Sequence, residues 1–86
     1  MASESEIKAA IEKRVSSAKT KDYSIWTIGV TDDADRRKAE HGNPEHWMQW
    51  DPDSETVARN IEKYFLDKGM KGAPGGPGKA NYVYIF

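Results

Sequence analysis

Arg37 and His41 stand four apart in the run Asp33-Ala-Asp-Arg-Arg-Lys-Ala-Glu-His41. Four residues is about one helical turn, so a helix here carries a guanidinium and an imidazole on one face. A guanidinium is a planar fork that matches two phosphate oxygens. An imidazole one turn away donates a hydrogen bond to the same group or moves a proton near neutral pH. Arg36 and Lys38 add positive charge to the stretch, Asp32 or Asp33 is placed to cap the helix, and Gly29 breaks the apolar run before it. The alternative is a charged helix face that meets only water.

The element that must position this helix is residues 23–31, Tyr-Ser-Ile-Trp-Thr-Ile-Gly-Val-Thr, which read as a strand. Alternation sets Trp26, Ile28 and Val30 on one face and Tyr23, Ile25 and Thr27 on the other, so both faces are partly covered. Strand, glycine and charged helix, with Gly29, Thr31, Arg37 and His41 at their spacing, resemble the second half of the signature of GIY-YIG nucleases. Thr27-Ile28-Gly29 takes the place of the "YIG" triplet, with Thr27 where its tyrosine is expected. No "GIY" strand precedes it, because residues 3–19 read as a helix.

The resemblance covers roughly residues 23 to 66. It implies that Arg37 and His41 are catalytic and that a glutamate on a later helix, here Glu62, holds one divalent metal, Mg or Mn. It also implies a tyrosine general base from the strand this chain lacks, so Tyr82, Tyr84 and Tyr23 are the candidates to replace it. If active, such a domain is a divalent-metal-dependent endonuclease or phosphodiesterase acting on DNA or RNA. With the strand missing, the expectation is a catalytically degenerate domain that binds phosphodiesters and cleaves generic DNA little or not at all. For the resemblance to hold, Arg37 and Glu62 should converge across one concave surface.

Eighty-six residues suffice for one domain with a modest core. Charged residues make up 31% of the chain and mean hydropathy is -0.84, yet three Trp, four Tyr and two Phe supply bulk for folding without staples. There is no cysteine, so disulfides and thiolate metal sites are excluded. No apolar run reaches the roughly 20 residues of a membrane span and no signal-like segment opens the chain, so no membrane partner and a cytoplasmic location are expected.

A net charge of -1 argues against nucleic-acid binding through the overall field. Binding must be local, through Arg36, Arg37, Lys38 and Lys71, with Lys19, Lys21, Lys68 and Lys79 as further cations. Tyr82, Tyr84 and Trp26 are candidates to stack on bases, against the commoner role of strand aromatics as core.

The remaining elements follow from pattern. Ser3 and Glu6 form a capping-box signature, and Ile7, Ile11, Val15 and Ala18 give a helix over about 3–19 a narrow apolar stripe that packs on the rest of the chain. A second strand is expected at His46-Trp-Met-Gln-Trp50, with Trp47 and Trp50 on opposite faces. A helix from Asp53 to Lys68, with Asp51 as cap and Pro52 in its first turn, buries Val57, Ala58, Ile61, Tyr64 and Phe65 and leaves Glu62 at the margin. Residues 69–79 read as a glycine-rich loop and residues 81–86 as the last strand.

The fold expected is α+β, a small antiparallel three-stranded sheet with packed helices in the order α-β-α-β-α-β, as one domain over residues 1–86. Three functions are open: the nuclease-like phosphodiester-binding domain, a noncatalytic protein-interaction module of the same fold, and small-molecule binding at the glycine-rich loop.

Overall fold

The computed structural model describes residues 2–18, 22–73 and 79–86. The expected contributions of Lys19 and Lys21 and the centre of the glycine-rich loop, residues 74–78, lie outside the described residues; the first helix ends at Ser16, short of the expected residue 19.

Helix α1 spans Glu4–Ser16 and begins at the expected capping box: Ser3 Oγ accepts from Glu6 N–H and Glu6 Oε1 accepts from Ser3 N–H, both at 3.2 Å. Strand β1 is Thr27–Thr31, shorter than expected, because Tyr23–Ile25 form a 3₁₀ turn held by Asp22, whose carboxylate accepts from Ser24 N–H and Oγ. That local side-chain bond offers the backbone an alternative to the sheet ladder. Helix α2 follows at Ala34–Glu40 with Asp33 as its cap, and strand β2 is Met48–Trp50. Helix α3 runs Glu55–Asp67; its cap is Ser54, whose hydroxyl accepts from Val57 N–H, rather than Asp51. Pro52 is engaged in a β-bridge with Ala2 instead of opening the helix.

The sheet corrects the expectation of three antiparallel strands. It has four, in the order β2-β4-β1-β3, and it is mixed: β4 (Tyr82–Ile85) lies antiparallel to both β1 and β2, whereas β3 (Lys71–Gly72) lies parallel to β1. Strand β3 falls within the stretch read as loop. Gly69, at φ 113°, turns the chain at the end of α3, so that Lys71 N–H reaches Trp26 O at 2.9 Å and Ala73 N–H reaches Ile28 O at 3.0 Å. Two residues carry no alternation, so no hydrophobic period announced this strand.

The register sorts β1 into two sides. Ile28 and Val30 pair with Ile85 and Val83 and join Trp26, Ile7, Ile11, Val15, Ala58, Ile61 and Phe65 in one core beneath α1 and α3. Burying each large side chain in this layer contributes about 1.5–3 kcal/mol. The two helices are tied together where Asn60 Nδ2 donates to Glu4 Oε1 and Lys8 lies over the Tyr64 ring. Gly29 and Thr31 pair with Tyr84 and Tyr82 on the opposite face, which α2 covers in part, and Thr27 pairs with Lys71 of β3. Among the described residues no helix is long and apolar enough to cross a membrane.

Candidate functional site

The site is built on the α2 side of the sheet around Tyr84. Strand β4 puts Tyr84 directly across from Gly29, and the missing side chain at Gly29 leaves the space the phenol ring occupies. A Cβ at residue 29 would overlap Tyr84 Oη, lie 2.6 Å from its Cζ and 3.0 Å from Ala73 Cβ. Gly29 is therefore required for close approach across the strands. Contrary to the sequence expectation, Gly29 does not break the strand but stands in the middle of β1, which continues to Thr31.

From above, α2 lowers two groups onto the phenol. Asp33 caps the helix by accepting from Arg36 N–H at 3.1 Å, and Thr31 Oγ1 accepts from Asp33 N–H at 3.1 Å, fixing the angle at which the helix leaves β1. Arg37 Nη2 then donates to Tyr84 Oη at 3.4 Å, and His41 Nε2 lies 3.2 Å from the same oxygen. Arg37 can only donate, so the phenol oxygen accepts from it. A neutral His41 protonated on Nδ1 takes the phenol hydrogen on Nε2. The guanidinium's other limb, Nη1, donates to Glu40 Oε1 at 3.2 Å, and its side chain is 13% exposed.

Charge is distributed accordingly. Burial lowers the pKa of His41 below the ordinary imidazole value, with Arg37 adding repulsion, so the ring is neutral at pH 7. The hydrogen bond with Tyr84 raises the pKa of Arg37, which stays protonated throughout.

Aromatic rings seal the cluster. The Trp47 indole stacks on Tyr84 with centroids 4.4 Å apart at 12°, and it lies 5.7 Å from Phe86 at 17°. His41 sits 4.8 Å from Phe86. Beneath these groups Tyr84 is fully buried. Its phenol oxygen can hold Arg37 and His41 in place but is closed to solvent.

The expected site residues thus divide. Arg37, His41 and Tyr84 come together. Tyr82 lies two residues away along β4, at the end of the sheet, where it lines depressions with Asp32, Asp33, Asp51 and Asp53. Tyr23 is in the other layer, its ring 6.0 Å from Phe65, and Trp26 is buried there under Arg14. Glu62 is carried by α3, whose buried residues pack on the far face of the sheet, and no described hydrogen bond or ion pair joins it to Arg37, His41 or Tyr84. Its carboxyl is half-buried and burial pushes its pKa up, with Arg59 acting weakly in the other sense.

Of the nucleic-acid candidates, Arg36 pairs with Asp32 at 2.6 Å and approaches Glu40 at 3.9 Å. Lys38 is partly buried on α2, and Lys71 is exposed on β3 opposite Thr27. Trp47 and Phe86 were not among the expected site residues. Their signal was period two, since Phe86 follows Tyr84 by two residues and Trp47 precedes Gln49, the partner of Tyr84, by two.

A resident divalent ion is poorly served by these donors. Mg is held by one or two carboxylates with substrate phosphate completing its shell. Glu62 and the Arg37 cluster belong to different layers, and among the described residues no group of three or more His, Cys, Asp or Glu could hold a metal. No family model, curated protein or solved structure matches the chain.

Proposed function

We propose that the α2 side of the sheet binds nucleic-acid phosphodiesters without cleaving them; Arg37 and Glu62 lie in different layers, so the convergence that the GIY-YIG resemblance requires is not met and the reading rests on the α2 side alone. The observation that supports this reading is the convergence of Arg37 and His41 on Tyr84 Oη. The resemblance asks for a tyrosine beside this arginine and histidine, and β4 supplies one from the far end of the chain by pairing antiparallel with β1. Strand pairing, not order along the chain, decides which side chains share a site.

The degeneracy follows from the same geometry. A general base must reach the proton it removes, directly or through one water. Tyr84 is fully buried beneath Trp47, and Arg37 is held by Glu40 and Tyr84. Phosphate contacts therefore fall to His41, Lys38, Arg36 and Lys71, with Arg37 joining when a phosphate displaces Glu40. Neutralising about three phosphates predicts a salt slope of about -2, so a tenfold rise in salt weakens binding about a hundredfold.

The test is titration of labelled single-stranded and branched DNA at low and moderate salt, with and without Mg or Mn. Weak, salt-sensitive binding without cleavage is expected, reduced by Arg37→Ala and by Lys38→Ala with the far-UV spectrum unchanged. Absence of binding at low salt overturns the reading and favours the noncatalytic protein-interaction module. Metal-dependent cleavage lost on Arg37→Ala and on Glu62→Gln, with folding intact, overturns the degeneracy and makes the protein a nuclease with Glu62 as its metal ligand.

A further inference from the structure

We propose that the segment from His41 to Trp47 is a proton-released strap over Tyr84: a proton added to His41 detaches the segment and opens the buried phenol and Arg37 to solvent. The device goes beyond the phosphodiester reading and does not depend on it.

A count of donors and acceptors carries the proposal. Two groups reach Tyr84 Oη, Arg37 Nη2 at 3.4 Å and His41 Nε2 at 3.2 Å. The guanidinium only donates, so among the described residues His41 Nε2 is the one acceptor for the phenol hydrogen. A protonated imidazole donates from both nitrogens and accepts at neither. Tyr84 is fully buried, so in the closed form water cannot take over the hydrogen. Protonation therefore aims two cations at one oxygen and leaves a buried donor unpaired, which a packed site tolerates poorly.

The charged surroundings do not rescue the closed form. Arg37 repels the imidazolium, and Glu40, its favourable neighbour, already accepts from Arg37 Nη1 at 3.2 Å. Strands β1 and β2 carry no charged residue, and β4 brings only Tyr82 and Tyr84 as titratable groups. The segment itself is lightly anchored. His41 ends α2, Gly42 and Asn43 follow at φ 80° and 52°, and Gly42, Asn43, Glu45 and His46 are exposed. Among the described residues, no backbone hydrogen bond outside the regular elements holds residues 44–47. The hold on the sheet is by rings: His41 against Tyr84 and Phe86, and Trp47 stacked on Tyr84. Freeing His41 removes one of these and exposes an edge of the stack.

The sign follows from linkage. Burial and Arg37 keep the closed-form pKa of His41 below its ordinary 6.5, toward which a released imidazole returns. The open form binds the proton more tightly, so the open-to-closed ratio rises as pH falls. The rise is up to about tenfold per pH unit, from the ordinary pKa down to the closed-form pKa.

The experiment follows the full chain by nuclear magnetic resonance from about pH 7.5 to about pH 4.5, a range that spans imidazole titration. The His41 ring protons report protonation, and the Trp47 indole N–H reports the strap. His46→Gln removes the only other histidine and assigns the ring. The two signals are expected to move together with a midpoint below 6.5. Near-ultraviolet circular dichroism should lose the Trp47–Tyr84 contribution while the far-ultraviolet spectrum is unchanged. His41→Gln, whose Oε1 accepts the phenol hydrogen at every pH, should hold the Trp47 signal constant over the same range.

Titration of His41 with no change at Trp47 overturns the proposal. A Trp47 transition that persists in His41→Gln also overturns it, by assigning the change to carboxylates. A His41 midpoint at or above 6.5 overturns the role of buried acceptor, and loss of the far-ultraviolet signal in step with Trp47 shows unfolding of the whole domain instead of release of a strap. The comparison of His41 with Trp47 is made within the unaltered protein, so a substitution that fails to fold does not remove the test.

Discussion

The two faces of one small sheet are built on different rules. Beneath α1 and α3 the contacts are apolar: Ile28, Val30, Val83 and Ile85 meet Ile7, Ile11, Val15, Ile61 and Phe65, most of them completely buried. On the α2 side the centre is a buried tyrosine whose hydroxyl is bonded to an arginine and a histidine, roofed by a tryptophan. A short α2 cannot supply an apolar stripe wide enough to seal this face, so rings and hydrogen bonds do so. Apolar burial scales with area and tolerates small adjustments, whereas a buried polar cluster depends on every member finding its partner. The first face stabilises the domain.

Phe65→Ala tests the first face and should have the largest effect. Phe65 is fully buried against Ile61, Tyr64 and Tyr23, and removing its ring opens a cavity. The expected loss is about 3–5 kcal/mol, a large part of the stability of a domain this size. Urea denaturation reads it as a lower midpoint. A loss under about 1 kcal/mol would show that the α1 and α3 layer is not the stabilising one.

Gly29→Ala tests the second face with a single methyl group. The methyl has no space unless Tyr84 shifts, and Tyr84 is pinned by Trp47, Arg37 and His41. A destabilisation of about 1–3 kcal/mol is expected. It should come with a changed near-ultraviolet circular dichroism signal from the Trp47–Tyr84 stack. An unchanged signal and midpoint would mean that the ring is free to move, and the contrast between the faces would weaken.

Glu62→Gln carries the smallest effect and sharpens the boundary of the apolar layer. Burial raises the folded-state pKa of Glu62 above its ordinary 4.5. A raised carboxyl stabilises the fold while protonated, below the unfolded pKa, and that contribution is lost as pH rises through the folded pKa. At about pH 7 the wild-type protein therefore holds a disfavoured charge, which glutamine removes. The variant's Tm should exceed the wild-type value at about pH 7, and the gap should close at about pH 3.5, where both side chains are neutral. A lower Tm for the variant at neutral pH would show that the carboxylate is held by a favourable partner.

Much of the helical layer was legible because its periods are strong. The Ser3 and Glu6 capping box, the stripe of Ile7, Ile11 and Val15, and the arc of Ala58, Ile61 and Phe65 appear in the structure with ends moved by a few residues. The alternation in Trp26, Ile28 and Val30 likewise put all three in the core. The 3₁₀ turn at Tyr23–Ile25 and the two-residue β3 went unread. The first follows from a side-chain bond of Asp22, and the second from a turn after α3 that brings two residues with no apolar period alongside β1.

By itself the amino-acid sequence determined the strand and capped helix within residues 27–41, and with them the pairing of Arg37 and His41 on one helical face. It determined two amphipathic helices and a final strand carrying Tyr82, Tyr84 and Phe86. Those are local matters, set by period, capping and the absence of a side chain at Gly29. Which tyrosine meets Arg37 and His41 was decided only by tertiary structure. β4 lies against β1 in a register that puts Tyr84 opposite Gly29, Tyr82 at the acidic end of the sheet, and Glu62 on the helix layer of the far face. A shift of one residue would have turned Tyr84 into the apolar core and Val83 toward Arg37, because neighbouring residues on a strand point to opposite faces. Register is a property of the packed sheet, held by the apolar pairs Ile28–Ile85 and Val30–Val83, which make no contact in the extended chain.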